Sequence, residues 1–323
     1  MRLLTPLVVL AVALLGASGA LAQSYPSKSV RIIVPFSAGG APDVIGRVLA
    51  QALTEQTGQS FVVENRPGAD GVVGANAVAQ ADPDGTTLLV TSSSFVINPS
   101  VHKNLPFDVI RDFEPVSSIA SVEAYILGVN PALPAKTVAE LVALTRTPDS
   151  KISFGSPGIG NSIHLVTELF KSLTKTSMVH VPYRGAGQAI TGLIAGDVQV
   201  MFLTPPSSIG YIDQGQIRAL AYTGAKRFAR FPNVLTMAES GVPGMEQMGS
   251  WTGLFVPART PPAIVTRLHE HVAKAIATPA VRDRLTQLGV TPVGNSPAEF
   301  KPYVAAQMKQ IAEIVKIAGI EPH

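Results

Sequence analysis

At 323 residues, with 46% apolar and only 15% charged residues, the chain has the length for one or two domains and the composition for a sizeable core, which excludes a disordered protein. The absence of cysteine removes disulfides, thiolate catalysis and a lipid-modified N-terminal cysteine. A formal net charge of +3 with no Lys/Arg run marks no nucleic-acid face and suits an anionic solute only weakly.

The N-terminus has the form of an export leader. Arg2 supplies a short positive region, Leu3 to Leu15 an apolar core below the ~20 residues needed to span a bilayer, and Ala20-Leu21-Ala22 a small-x-small cleavage site. Residues 1–22 are therefore expected to be a signal peptide cut after Ala22, leaving a soluble protein.

Val30 to Val34 is β-branched, continuously apolar apart from Arg31, and too short for a helix, so it predicts a strand buried in a parallel sheet. Pro35 to Gly40 follows with adjacent glycines. Pro42 and Asp43 then open a helix whose apolar stripe is Val44, Ile45, Val48, Leu49, Ala52 and Leu53. Strand, glycine loop and helix N-terminus together form a device that binds an anion without a charged side chain. Ser60 to Glu64 predicts a second strand, Gly71 to Ala81 a small-residue helix, and Thr86 to Thr91 a third strand opening into a polar loop, Ser92-Ser93-Ser94. Such alternation predicts a doubly wound unit, with ligands beyond the carboxyl ends of its strands.

Pro115 to Val129 reads as a strand crossing into a second lobe, where the alternation resumes. A helix is expected over Thr137 to Arg146, a strand over Lys151 to Gly155, a loop over Ser156 to Gly160, and a helix from Asn161 burying Ile163, Val166, Phe170 and Leu173. Two more loops, Tyr183 to Gly187 and Thr204 to Ser208, follow the strands Met178–Pro182 and Val198–Leu203. Trp251 to Val256 predicts the return crossing. Thr260-Pro261-Pro262 caps a helix to about Ala277, and Ser296 with Glu299 forms a capping box for the last helix, ending near Gly319. The expected fold is α/β with two lobes, each a doubly wound sheet with helices on both faces, joined by a two-strand hinge. Lobe 1 comprises 23–123 and 249–323, and lobe 2 comprises 124–248.

Three imitations of other chemistry fall away. Gly158-x-Gly160-x-x-Ile163 lacks the third glycine of a dinucleotide fingerprint, and no acidic residue follows near Val179-His180-Val181. His269-Glu270-His271 has metal-ligand types, but positions i and i+2 diverge on a helix. Ser156 with His164 could act as nucleophile and base, yet Pro157 removes the following N–H that an oxyanion hole would use. Neither cofactor nor metal is expected. Arg184 stays open between reaching an anion and pairing on the surface.

Residues Val30 to Asp43 (VRIIVPFSAGGAPD) and Glu64 to Val90 (ENRPGADGVVGANAVAQADPDGTTLLV) resemble the Bug, or TctC-like, family of periplasmic solute receptors. So do PAKTVAEL from Pro134, HLVTELF from His164, HVPYRG from His180, AGDVQVMF from Ala195, IRALAYT from Ile217 and WTGLFVPARTP from Trp251. The resemblance covers essentially the whole mature chain in order. It departs at Ala38, which stands where the family's loop usually carries proline in Pro-Gly-Gly. The resemblance implies a type II periplasmic binding protein fold and a periplasmic, non-catalytic receptor. It also implies a carboxylate held on the lobe 1 side by loop backbone groups and ordered waters.

The expected function is capture of a small carboxylate, a di- or tricarboxylate or similar acid, by a monomer that delivers it to membrane subunits of a tripartite tricarboxylate transporter. An exported acyl-transfer enzyme using Ser156, and an orphan receptor signalling to a membrane sensor kinase, are the alternatives. The expected ligand contacts are Phe36, Ser37, Ala38, Gly39, Gly40 and Asp43 from the first loop, with Ser92 and Ser93 after the third strand. From lobe 2 they are Ser156, Gly158, Asn161, Ser162 and His164, then Tyr183, Gly185 and Ala186, and finally Thr204. Asp43 repels an anion, and its expected task is to fix the N–H groups of its own loop.

Overall fold

The computed structural model describes residues 25–147, 150–246, 249–317 and 322. The leader, its cleavage site and the expected helix end at Gly319 lie outside the described residues. Strand β1 (Val30–Val34) has the expected bounds and burial. Its Val30, Ile32 and Val34 pack with Ile45, Leu49 and Leu53 of helix α1 (Ala41–Thr57), while Ile33 packs on the opposite face with Ala75 and Val78. One strand thus feeds two apolar layers, which is why its sequence reads as a continuous apolar run.

The chain continues through β2 (Phe61–Asn65), a 3-10 turn (Ala69–Gly71), α2 (Val72–Ala79), β3 (Thr87–Ser92), α3 (Ser94–Val101) and β4 (Phe113–Val122). It enters a second sheet at β5 (Ile126–Val129) and runs on through α4 (Val138–Thr145), β6 (Ser153–Ser156), α5 (Ser162–Thr174), β7 (Val179–Pro182), α6 (Ala186–Ala195), β8 (Val200–Leu203), α7 (Pro205–Asp213) and β9 (Arg218–Tyr222). Then β10 (Ser250–Pro257) returns to the first sheet, followed by α8 (Pro262–Ala277), α9 (Pro279–Gln287), β11 (Thr291–Pro292) and α10 (Pro297–Ile317).

The first sheet has the order β11-β4-β10-β3-β1-β2, and the second β7-β6-β8-β5-β9. In each, three neighbouring strands are parallel (β2-β1-β3 and β7-β6-β8) and the added strands antiparallel. The fold is the two-lobed α/β arrangement expected. The outgoing and returning strands lie side by side, with Ser250 opposite Val122 at the end of the β4–β10 pair.

Several local expectations need correction. Ser92-Ser93-Ser94 is no open loop: the strand runs through Ser92 and α3 starts at Ser94. Thr204 to Ser208 is likewise the start of α7, because Pro205 and Pro206 fit a first turn whose N–H groups have no intrahelical partner anyway. Leu173 is 44% exposed, and the buried stripe of α5 runs through Ile163, Val166, Phe170 and Thr174. The Thr137–Glu140 and Ser296–Glu299 pairs hydrogen-bond reciprocally as capping boxes; the first had no place in the sequence reading.

Candidate functional site

The carboxyl ends of β1, β3, β6 and β8 face the seam between the sheets, and a cavity of about 40 Å³ lies there. Its lining draws on both lobes: Phe36, Gly40, Ala41, Pro42 and Ser92 from one, Pro157, Asn161, Ser162, Ile163, Ala186 and Thr204 from the other, with Val122, Ser250 and Thr252 from the crossing strands. This lining contains hydroxyls, one amide and apolar walls, but no Lys, Arg, His, Asp or Glu.

What replaces a cation is helix ends. Helices α1, α5, α6 and α7 all present their N-termini, and an N-terminus carries roughly half a positive charge together with orphan N–H groups. Their contributions differ for covalent reasons. Pro205 and Pro206 leave α7 without its first two donors, and Ser207 N is bonded to Thr204 O. In α5 the Asn161 side chain caps Ile163 N. Helices α1 and α6 have no side-chain cap. Although Pro42 takes one donor from the first turn of α1, the Ala41 and Asp43 N–H groups remain there and α6 keeps its whole first turn, so these two ends are the best placed to donate to an anion.

The α1 loop is held from behind. Asp43 Oδ2 accepts from Gly39 N at 2.9 Å, and Oδ1 accepts from Asn65 Nδ2 at 2.9 Å. Arg47 Nε donates to both oxygens, and Asn65 Nδ2 also donates to Phe36 O at 3.0 Å. Burial pushes the Asp43 carboxyl up, but the hydrogen bonds from Arg47, Gly39 and Asn65 outweigh it and hold the group below the ordinary carboxylate range. Asp43 is absent from the cavity lining. Its carboxylate ties the loop in place through Gly39 N. Gly39, at φ +85, adopts a backbone conformation open to glycine and strained for other residues.

The lobes touch through glycines. A Cβ on Gly187 would overlap the Ala38 carbonyl oxygen, one on Gly185 would strike Ser37 Oγ, and one on Gly160 would lie 2.6 Å from Val101. Direct hydrogen bonds also cross the seam: Asn161 Nδ2 donates to Asp70 Oδ1 at 2.9 Å and to Ser94 Oγ at 2.6 Å. At the hinge, Ser93 Oγ meets Ser250 Oγ at 2.8 Å, and Thr252 Oγ1 is buried without a partner. Tyr125 Oη is also buried and meets nothing in hydrogen-bonding geometry; burial pushes it up to about 12, tempered by the nearby Ser162 and Ser250 hydroxyls.

Of the residues nominated from sequence, Phe36, Gly40, Ser92, Asn161, Ser162, Ala186 and Thr204 line the cavity. Ser37, Ala38, Gly39, Gly158 and Gly185 lie at lobe-to-lobe contacts beside it. Ser93 lines a neighbouring cavity of about 180 Å³ behind the hinge.

Three nominees point elsewhere. Ser156 is fully buried, with Oγ 2.6 Å from His180 Nε2 and 2.9 Å from the carbonyl of Gly158, so it fastens its own loop. His164 accepts from Gly160 N through Nδ1 and stacks on His180 at 4.1 Å. His180 is itself pushed down to about 3 by burial, helped by His164 and Lys171. Tyr183 packs its ring against Gly155 and Gly192, near Asp197. Arg184 is exposed and lies outside the lining.

Residues that sequence reasoning missed are Thr252, read only as part of the crossing strand Trp251 to Val256, Ser250, which lay just before that strand, and Asp70, which lay unremarked inside a glycine-rich segment. Their alternation with apolar Trp251 and Gly253 on β10 was the available signal for the first two.

Residues 45–320 match the family model described as tripartite tricarboxylate transporter family receptor, TctC. The chain is 35% identical over 301 residues to protein BugT of Bordetella pertussis, covering 92% of this chain and 91% of BugT. Its structure resembles periplasmic binding protein BugD with a TM-score of 0.88, at 32% identity over 93% of this chain and 100% of that one. It resembles Rpa4515 of R. palustris, solved with adipate, with the same TM-score of 0.88, at 34% identity over 93% and 100% of the two chains.

Proposed function

The chain belongs to the tripartite tricarboxylate transporter receptor family, a family of periplasmic solute receptors, and we infer from its cleft that it captures a small organic acid as a dicarboxylate or similar anion. The observation that carries this reading is the meeting of uncapped helix N-termini from opposite lobes, α1 and α6, around a cavity with no charged side chain. An anion is stabilised there by oriented backbone dipoles. A cation finds no counter-charge, and a neutral sugar finds only one aromatic wall, Phe36. The adipate found on Rpa4515 is of the expected class.

Captured acid is then delivered to the membrane subunits of a tripartite tricarboxylate transporter. The receptor acts as a monomer, exported with its leader removed after Ala22. The lobes are taken as 23–123 with 249–323, and 124–248, moving about the β4–β5 and β10 crossings. Family members are receptors rather than enzymes, and the buried, loop-bound hydroxyl of Ser156 agrees with that role.

A thermal-shift panel tests the ligand class. An acid at roughly 100 times its Kd adds about 2.7 kcal/mol of stability. Dicarboxylates of four to six carbons are expected to raise the melting temperature, while their diamides and neutral sugars leave it unchanged. Equal stabilisation by an acid and its diamide would refute an anion site.

A further inference from the structure

Among the described residues, Asp70 is the most unusual carboxylate. It sits at the lobe seam on the 3-10 turn before α2 and is 8% exposed. Its backbone and that of Ala69 are left-handed, at φ 47 and φ 44, which costs a non-glycine residue free energy and persists only where the surroundings hold it. Asn98 Nδ2 of α3 holds the turn through the Asp70 carbonyl at 3.3 Å. From the other lobe, Asn161 Nδ2 donates to Oδ1, and Gly158 comes so close that its Cβ would lie 3.2 Å from that of Asp70. Asn161 and Gly158 both belong to the other lobe, so they would leave Asp70 together if the lobes parted.

The second carboxyl oxygen, Oδ2, has no hydrogen-bond partner, and neither does the nearby buried acceptor Asn98 Oδ1. Both atoms are acceptors in a place short of donors. A proton on Oδ2 changes one of them into a donor and removes a buried charge that would otherwise be uncompensated.

We propose that Asp70 is a positioning residue that latches the lobes together through Asn161, and that the latch engages with uptake of one proton from solvent. The proposal rests on the receptor reading, since the latch aligns Ser162 and the α5 N-terminus with the anion cavity. It adds that capture of the anion is coupled to proton binding. Burial pushes Asp70 up to about 7, opposed only by the Asn161 hydrogen bond.

None of the elements packed on the turn offers a compensating charge, and α2, which follows it directly, carries no titratable residue. From α3 it meets Ser94, through Asn161, and Asn98; from the 157–161 loop it meets Gly158 and Asn161. The titratable groups those elements carry are engaged elsewhere. His164 takes the Gly160 N–H, Glu168 pairs with Lys171, and His102 lies beyond the end of α3.

The sign follows from linkage. The closed form binds the proton more tightly than an exposed carboxyl of ordinary pKa near ~3.9, so closure is favoured as pH falls and disfavoured as pH rises through about 7. A raised value near 7 makes binding on the order of tenfold tighter at pH 6 than at pH 8.

Asp70→Asn keeps an acceptor for Asn161, supplies a donor, tolerates the left-handed backbone, and cannot titrate. Calorimetry with adipate and succinate, in buffers of different ionisation enthalpy, compares it with the wild type. The wild type is expected to take up close to one more proton than the variant at pH 6 and almost none at pH 8, with the tenfold affinity change confined to the wild type.

A ligand-free arm uses the absence of native cysteine. Ala38→Cys with Gln188→Cys, treated with a short bismaleimide, traps the closed form. The wild-type-to-variant ratio of trapping rates is expected to rise about tenfold from pH 8 to pH 6. Acid binding with no pH difference between the two proteins overturns the latch and leaves the receptor standing. Failure of both acids to bind, with the trapping ratio still pH-dependent, overturns the ligand class and supports the latch. A flat ratio overturns the latch whatever binds.

Discussion

The glycine contact between α6 and the α1 loop gives a substitution that separates closing from folding. Gly187 is the second residue of α6 and has no left-handed backbone, so Gly187→Ala is compatible with its own helix and favours it by up to about 1 kcal/mol. Across the seam the new methyl would overlap the Ala38 carbonyl oxygen, lie 3.2 Å from its carbonyl carbon and 3.4 Å from Ser37 Oγ. That carbonyl cannot swing aside freely, because the next N–H, of Gly39, is bonded to Asp43. The lobes must therefore stand apart by on the order of 1 Å to restore van der Waals distance. Overpacking of this kind costs roughly 1–3 kcal/mol, and the whole of it falls on the closed form. Calorimetric titration with a bound acid should show affinity lower by about 5- to 150-fold, while the unliganded melting temperature stays level or rises. Wild-type affinity would refute the reasoning. So would a loss of unliganded stability, since that would place the contact in the resting fold.

Asp43→Asn removes the charge-assisted bonds that aim the α1 loop, worth about 1.5–3 kcal/mol each, so affinity for every acid should fall with their ranking unchanged; a reordered ranking in a competition assay would make Asp43 a direct reader of the solute. Because the folded pKa of Asp43 lies below the ordinary range, its stabilisation is present above that range and is lost as pH falls through the lowered value. The stability gap between wild type and variant in urea melts should therefore close in acid, and a gap independent of pH would contradict the network. Thr252→Val replaces a buried, unpartnered hydroxyl by a methyl of similar shape, so the free protein should melt at the same or a higher temperature while acid binding weakens about tenfold. Unchanged affinity would remove Thr252 from the site.

The sequence made the parallel strands and the helix N-termini legible because those features are local. Val30–Val34 alternates between two apolar layers, and Asn161 is a cap residue directly before an apolar helix. Asp43 could be assigned to its own loop because an anion excludes a bare carboxylate. What stayed hidden depends on contacts distant in sequence. Ser156 and Tyr183 occupy the same kind of strand-end position as Ser92 and Thr204, and only packing against His180 or Gly192 turns them away from the cavity. Thr252 and Ser250 required knowing that β10 returns beside β4. Asp70 was invisible for the same reason: its character comes from Asn161, ninety-one residues later in the chain.

Closure of two lobes on one anion is tested most directly by small-angle scattering, with and without an acid whose binding calorimetry has established. Open and closed forms need differ by only a few kcal/mol for the acid to select between them. Since α1 and α6 meet across the seam and their N–H groups reach one cavity only together, saturating acid should reduce the radius of gyration. A radius unchanged at saturation would contradict closure and leave a receptor whose cleft is already formed before the anion arrives.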